Sequence, residues 1–169
     1  MMKKWILVVL VLGAVSCTQE KIGYVDNVVL MDKYQEKMDI EADFKVKLEA
    51  LTKKRDSISQ GFQLEMQAFQ AKAQKMNQAK AQEEYAMMQQ KGQFMGQQLQ
   101  QEDQSLQAQG QTEMDTLVKK VKKEIKAYGK ANGYTYILGG GDGGSVLYGT
   151  EANDLTDEIL KILNDKYKK

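Results

Sequence analysis

Between about Met31 and Asn132 the chain contains neither a proline nor a run of alternating apolar and polar residues. Proline removes a backbone donor and clashes with the preceding turn, so its absence from all 169 residues leaves long helices free to run without a break. Apolar side chains fall at Phe44, Leu48, Leu51, Ile58, Phe62, Met66, Phe69, Ala73 and Met76, then again at Met114, Leu117, Val121, Ile125 and Tyr128. Steps of three and four dominate, which gives each set one stripe of an amphipathic helix close to heptad spacing. Arg55 interrupts the first stripe, and Asp103 stands between Leu99 and Leu106 on the second. A single helix of this length would leave the two ends of the chain far apart, with no sheet partner for either. The pattern therefore predicts a helical hairpin: one helix out, a tip around residues 76 to 90, and one helix back. Each arm of roughly 45 residues would measure about 65 Å at 1.5 Å per residue.

The ends of the chain have a different texture. Ile22-Gly-Tyr-Val-Asp-Asn-Val-Val-Leu30 is a short β-rich segment leading into a helix. Near the other end, residues 133–138 and 145–148 are two strand-like pieces joined by Gly139, Gly140, Gly141, Asp142, Gly143 and Gly144, and they predict a β-hairpin. Gly139, Gly141 and Gly144 also satisfy the G-x-G-x-x-G pattern. A dinucleotide loop, however, needs a strand before it and a helix after it, and here a second strand-like piece follows. The six residues are read as the turn of the hairpin, with glycine and aspartate supplying positive φ angles, and no nucleotide or other cofactor is expected. Beyond Gly149, capping candidates Asp154 and Thr156, acids in the first turn, apolar Leu155, Ile159, Ile162 and Leu163, and closing lysines predict a terminal helix. The fold class is α+β: a long antiparallel helical hairpin projecting from a small β-strand body, with body segments 21–32 and 130–169 and the arm at about 33–129.

Composition separates the outer half of the arm from an ordinary coiled-coil rod. Of the 52 residues from Gln60 to Gln111, eighteen are glutamine, five methionine, four aromatic and only nine charged. Gly92, Gly96 and Gly110 each cost about 1 kcal/mol relative to alanine in a helix interior, so a supple far end is expected. Phe62, Met66, Phe69, Met76, Met87, Met88, Phe94 and Met95 then form a candidate surface for adaptable apolar contacts, although a methionine and phenylalanine stripe at helical spacing also packs readily against a neighbouring helix. Lys119, Lys120, Lys122, Lys123, Lys126 and Lys130 form a basic cluster. It is either the solvated face of the returning helix or an electrostatic patch for acidic segments or anionic head groups.

The first seventeen residues, MMKKWILVVLVLGAVSC, follow the plan of an export signal: two lysines, an apolar run, then small residues. Ala14-Val15-Ser16-Cys17 reads as a loose lipobox, with residues 1–16 removed and Cys17 lipidated. The competing reading is an ordinary A-x-S cleavage that leaves Cys17 as a free thiol. Since Cys17 is the only cysteine, no disulfide can form within the chain. The absence of histidine removes the usual general base and most zinc sites, and no catalytic residue or metal ligand is identified. Without Lys3 and Lys4 the chain carries 22 basic and 23 acidic residues, a balance that does not call for nucleic acid.

Two stretches together, IGYVDNVVLMDKY near the start and KKVKKEIKAYGKANGYTYILGGGDGGSVLYGTEANDLTDEILKILNDKYKK at the end, resemble the OmpH/Skp family of periplasmic chaperones. The similarity covers essentially all of residues 17–169; the middle matches in kind rather than letter. It implies a homotrimer in which strands of three chains complete one β-body, while three helical arms surround a cavity for unfolded outer-membrane or envelope proteins. Binding would be independent of ATP, without catalysis, in the periplasm of a Gram-negative-type bacterium. Near-neutral charge and Cys17 depart from the best-known members, which are strongly basic and soluble; here a membrane tether through the lipid on Cys17 is expected. The alternative is a structural coiled-coil envelope lipoprotein that holds no client.

Overall fold

The computed structural model describes residues 20–168; the predicted leader and Cys17 lie outside the described residues. Strand β1 (Ile22–Asp26) leads into the short helix α1 (Asn27–Lys33), the long helices α2 (Gln35–Ala73) and α3 (Gln78–Ala131), strand β2 (Tyr136–Gly140) and the closing helix α4 (Thr156–Tyr167). A helical hairpin thus projects from a small α+β body. Its arms are unequal, about 58 Å and about 81 Å at 1.5 Å per residue. The tip is a tight connection at residues 74–77, at the start of the predicted span. There the Asn77 side chain accepts from Ala79 N at 2.9 Å and satisfies an otherwise free donor at the start of α3.

Most helix boundaries have an identifiable partner or backbone cause. Asp26 accepts from Val28 N at 2.9 Å and Val29 N at 3.0 Å and starts α1. Tyr34, extended at ψ 115°, separates α1 from α2 and provides no side-chain cap. Instead Asn164 of α4 accepts from Gln35 N at 2.9 Å, so a partner from the far end of the chain caps the root of the arm. Helix α3 stops where Gly133 takes φ +68° and Tyr134 N reaches back to Gly129 O at 2.9 Å, the left-handed ending that glycine permits. At α4, Asp154 accepts from Thr156 N at 2.9 Å, as the capping pattern predicts.

The predicted β-hairpin does not form. β2 pairs with β1, in parallel, from Ile22 opposite Tyr136 to Asp26 opposite Gly140. Parallel strands need a crossover of a dozen or more residues, and here the whole arm is that crossover: by folding back on itself it returns Thr135 to Lys21, whose carbonyl Thr135 N reaches at 2.8 Å. Gly139 and Gly140 are therefore strand residues, not turn residues. The turn is confined to Gly141–Gly144, closed by Gly144 N to Gly141 O at 2.9 Å, with positive φ at Gly141 and Gly143 but not at Asp142. Of the predicted second strand only Val146 makes a bridge, to Gly140. The other edge of β1 is covered near Asp154, where Leu155 N donates to Tyr24 O at 2.8 Å.

The core lies entirely in the body and the root of the arm. Val25, Leu30, Tyr34, Leu117, Val121, Leu155, Ile159 and Leu163 form one buried cluster. Full burial of such a side chain is worth roughly 1.5–3 kcal/mol. Among the described residues none is buried between Leu51 and Leu117, so the body carries most of the stabilisation. Sheet pleating sends Gly23, Val25 and Ile137 inward and leaves Ile22, Tyr136 and Leu138 on an exposed apolar face.

Candidate functional site

Cross-arm contacts define the site, because the arm has no buried core beyond Leu51. Ion pairs join Lys47 to Glu113 (3.9 Å), Lys54 to Glu102 (2.7 Å), Arg55 to Asp103 (3.5 Å), Lys91 to Glu65 (2.5 Å) and Lys72 to Glu84 (3.7 Å). Arg55 and Asp103, the two residues that interrupt the apolar stripes, face each other. Exposed pairs of this kind contribute about 0.2–1 kcal/mol each, so the series fixes the antiparallel register more than it stabilises the arm.

The glycines of α3 divide into two kinds. A Cβ at Gly110 would lie 2.9 and 3.0 Å from atoms of the Phe44 ring, and one at Gly92 would lie 3.0 Å from the Phe62 ring; at Gly96 it would meet nothing within 4 Å. Two of the three are therefore seats for phenylalanine rings on the opposite helix, not merely points of weakness. Eighteen residues separate Phe44 from Phe62, and eighteen separate Gly92 from Gly110. At 3.6 residues per turn that is five whole turns, the spacing of straight helices rather than of a heptad supercoil.

The candidate surface residues are distributed accordingly. Phe62 sits over Gly92, and Phe69 stacks on Tyr85 with ring centroids 6.3 Å apart, so both serve the join between the arms. Met66, Met76, Met88 and Met95 are half-buried, whereas Met87 is 55% and Phe94 66% exposed. Phe69, Met87 and Met88 line a cavity of about 460 Å³ near the tip, edged by Lys72, Glu84, Glu65 and Lys91. Two exposed apolar side chains escape a reading based on stripes: Val46 at 64% and Leu64 at 66%. Each is out of phase with the packed face, and that mismatch is the signal that finds them.

The six lysines of the basic cluster do not act together. Lys120 forms an ion pair with Glu36, which also accepts from the Tyr34 hydroxyl, and its ammonium lies 5.8 Å from the centre of the Tyr167 ring. Burial, followed by the hydrogen bond to Glu36, pushes ionisation of the Tyr34 hydroxyl well above the ordinary tyrosine range. Lys122, Lys126 and Lys130 line a second cavity, of about 470 Å³, at the junction of arm and body; Lys119 and Lys123 are exposed and do not line it. Among the described residues no group of three or more acidic or cysteine side chains is placed to hold a metal, and no helix is long and apolar enough to cross a membrane.

Adaptable apolar side chains on a long arm, and cations around a junction cavity, can hold extended or charged partners by many weak contacts. The family model described as Outer membrane protein (OmpH-like) matches residues 21–163. A crystal structure from Caulobacter crescentus CB15, provisionally described as an outer membrane chaperone (OmpH-like), superposes with a TM-score of 0.77 at 15% identity, covering 88% of this chain and 86% of the other. That likeness is one of fold. No curated protein matches the chain.

Proposed function

The chain belongs to the OmpH-like outer membrane protein family, and on that premise we propose that it is an ATP-independent holdase, which keeps unfolded outer-membrane or envelope proteins from aggregating in the periplasm. The observation that carries this proposal is the distal arm, where Leu64, Met87 and Phe94 keep more than half of their surface in water on a frame with no buried core of its own. Apolar side chains held out in this way suit weak, non-directional capture, and the scheme assigns no residue a catalytic role. Release follows when the client buries its own apolar surface.

The proposal extends to a homotrimer. A two-stranded sheet is marginal on its own, its outward face shows Ile22, Tyr136 and Leu138, and the neighbouring Leu147 and Tyr148 are 99% and 85% exposed. Strands pooled from two further copies would cover this apolar surface and place three arms around one space. A tether through Cys17 would hold the assembly at a membrane.

The test measures aggregation of an unfolded outer-membrane β-barrel protein with and without the exported chain. Suppression is expected at one trimer per client. Replacing Met87, Met88, Phe94 and Met95 by serine weakens suppression while the sedimenting mass stays that of the wild type. A structural lipoprotein, the reading favoured by the cross-arm ion pairs and ring seats that stiffen the arm, gives no suppression with either protein.

A further inference from the structure

The join between the arms changes its chemistry along its length. At the root it is built from branched aliphatic side chains, with Leu51, Leu117 and Val121 buried. Between residues 59 and 98 every half-buried side chain larger than alanine is methionine or phenylalanine, apart from Glu84. The register set by Phe62 over Gly92 and by Phe69 on Tyr85 puts Met66, one turn beyond Phe62, at the level of Met88, one turn before Gly92. Two half-buried thioethers therefore share one level of the join, between a phenylalanine seat and a ring stack. Leucine would fill that level with similar apolar surface and a better defined rotamer, so folding alone does not call for sulfur there.

Solvent reaches this level. Among the described residues none is buried between Leu51 and Leu117, and Met88 lines the cavity of about 460 Å³ near the tip together with Met87, which is 55% exposed. Met31 and Met114, by contrast, pack against the buried cluster of the body and the root. A chemical change at those two would be opposed by the surrounding core, whereas at Met66 and Met88 only the join itself opposes it.

We propose that Met66 and Met88 are a site of reversible oxidation by peroxide, and that their oxidation opens the outer part of the arm while the body stays folded. The sulfur lone pair attacks one oxygen of hydrogen peroxide, and an S–O bond forms as the O–O bond breaks. The departing hydroxide takes the proton of the new S–OH group, which leaves the sulfoxide and water; sulfur loses two electrons and the peroxide gains them. A sulfoxide is polar where the thioether was apolar, so it draws water into the join. A methionine sulfoxide reductase returns the thioether at the expense of two thiols, which end as a disulfide with release of water. The site does not depend on whether the arm holds a client.

The experiment uses the exported chain carrying Cys17→Ala, which leaves methionine as its only sulfur-containing side chain. Limited treatment with hydrogen peroxide is followed by peptide mass spectrometry for sulfoxide and by amide hydrogen exchange. Sulfoxide is expected at both Met66 and Met88, with exchange roughly tenfold faster across residues 60–95, a factor that matches the loss of two half-buried methionine contacts, and with exchange in β1 and α4 unchanged. The double variant Met66→Leu, Met88→Leu fills nearly the same volume and should keep its exchange after the same treatment, although Met38 and Met87 are oxidised in it. Methionine sulfoxide reductases acting on both sulfoxide epimers, with dithiothreitol, should restore the untreated exchange. The proposal is overturned if Met66 and Met88 stay unoxidised at a dose that converts Met87, or if their oxidation leaves exchange unchanged. It is equally overturned if the double variant loosens as much as the wild type, if β1 and α4 loosen with the arm, or if the reductases restore nothing.

Discussion

Gly96 and Gly110 occupy the interior of the same helix, and alanine at either position should return the same helix propensity, about 1 kcal/mol. They differ in what the new methyl group meets. At Gly96 there is nothing within 4 Å, so Gly96→Ala is expected to stabilise by about 1 kcal/mol, a rise of roughly 2–4 °C in Tm for a chain of this size. At Gly110 the methyl would stand 2.9 and 3.0 Å from atoms of the Phe44 ring, which must move. Overpacking of this kind costs roughly 1–3 kcal/mol, so the net change runs from about zero to about 2 kcal/mol of destabilisation. Thermal unfolding followed by far-UV circular dichroism at one fixed protein concentration reads the difference, the concentration being held because association contributes to Tm. In the Phe44→Leu background the ring is gone, and Gly110→Ala should then stabilise as Gly96→Ala does. If Gly110→Ala raises Tm as much as Gly96→Ala in the otherwise unchanged protein, the glycine seats have no energetic meaning and the stiff, straight arm argued from them fails.

Asp26 starts α1 by accepting two backbone N–H groups, so Asp26→Ala should cost roughly 0.5–2 kcal/mol in urea denaturation, while Asp26→Asn should recover most of it; equal losses would mean that the cap is not the cause. The pH dependence follows from Tyr34, whose fully buried hydroxyl holds its proton more tightly in the fold than in the unfolded chain. A group with a raised folded pKa contributes stability that is intact below its unfolded value, about 10 for tyrosine, and is lost as pH rises beyond it. The urea midpoint should therefore hold steady from neutral pH to about pH 9 and fall above about 10, and Tyr34→Phe should make the alkaline fall shallower. Parallel falls in the two proteins would refute this assignment.

Helix periodicity was legible because it is local. The stripes through Phe62 and Met66 and through Leu117 and Val121 require only 3.6 residues per turn, and a helical run of this length must fold back on itself if its two ends are to meet. The candidate surface was legible in part: Phe94 and Met87 are exposed, but Phe62 and Phe69 are engaged between the arms, and Leu64 stands out only once the packed face is known. Single residues misled where their partners are remote. Gly92 and Gly110 have the local signature of helix weakness until Phe62 and Phe44 are seen opposite them, and Arg55 and Asp103 have that of defects until they are seen to face each other.

What the amino-acid order determined unaided was most of the set of elements: two long helices, a strand before and a strand after the arm, a terminal helix with its Asp154 cap, and a glycine-rich turn; the further strand read at 145–148 does not form, and the break at Tyr34 between α1 and α2 is not marked in the sequence pattern. Only the tertiary structure decided how they meet. Residues 136–140 pair with a strand more than a hundred positions earlier instead of with their neighbour at 145–148, because the folded arm brings Thr135 back to Lys21 and the extended edge of β1 offers a full ladder of backbone partners, whereas the turn at Gly141–Gly144 leaves Val146 a single bridge. Likewise the six lysines are alike along the chain and become different only in space, where Glu36 claims Lys120 and the junction cavity collects Lys122, Lys126 and Lys130. Periodicity is set by neighbours within a turn; register and charge compensation are set by whatever the rest of the chain brings alongside.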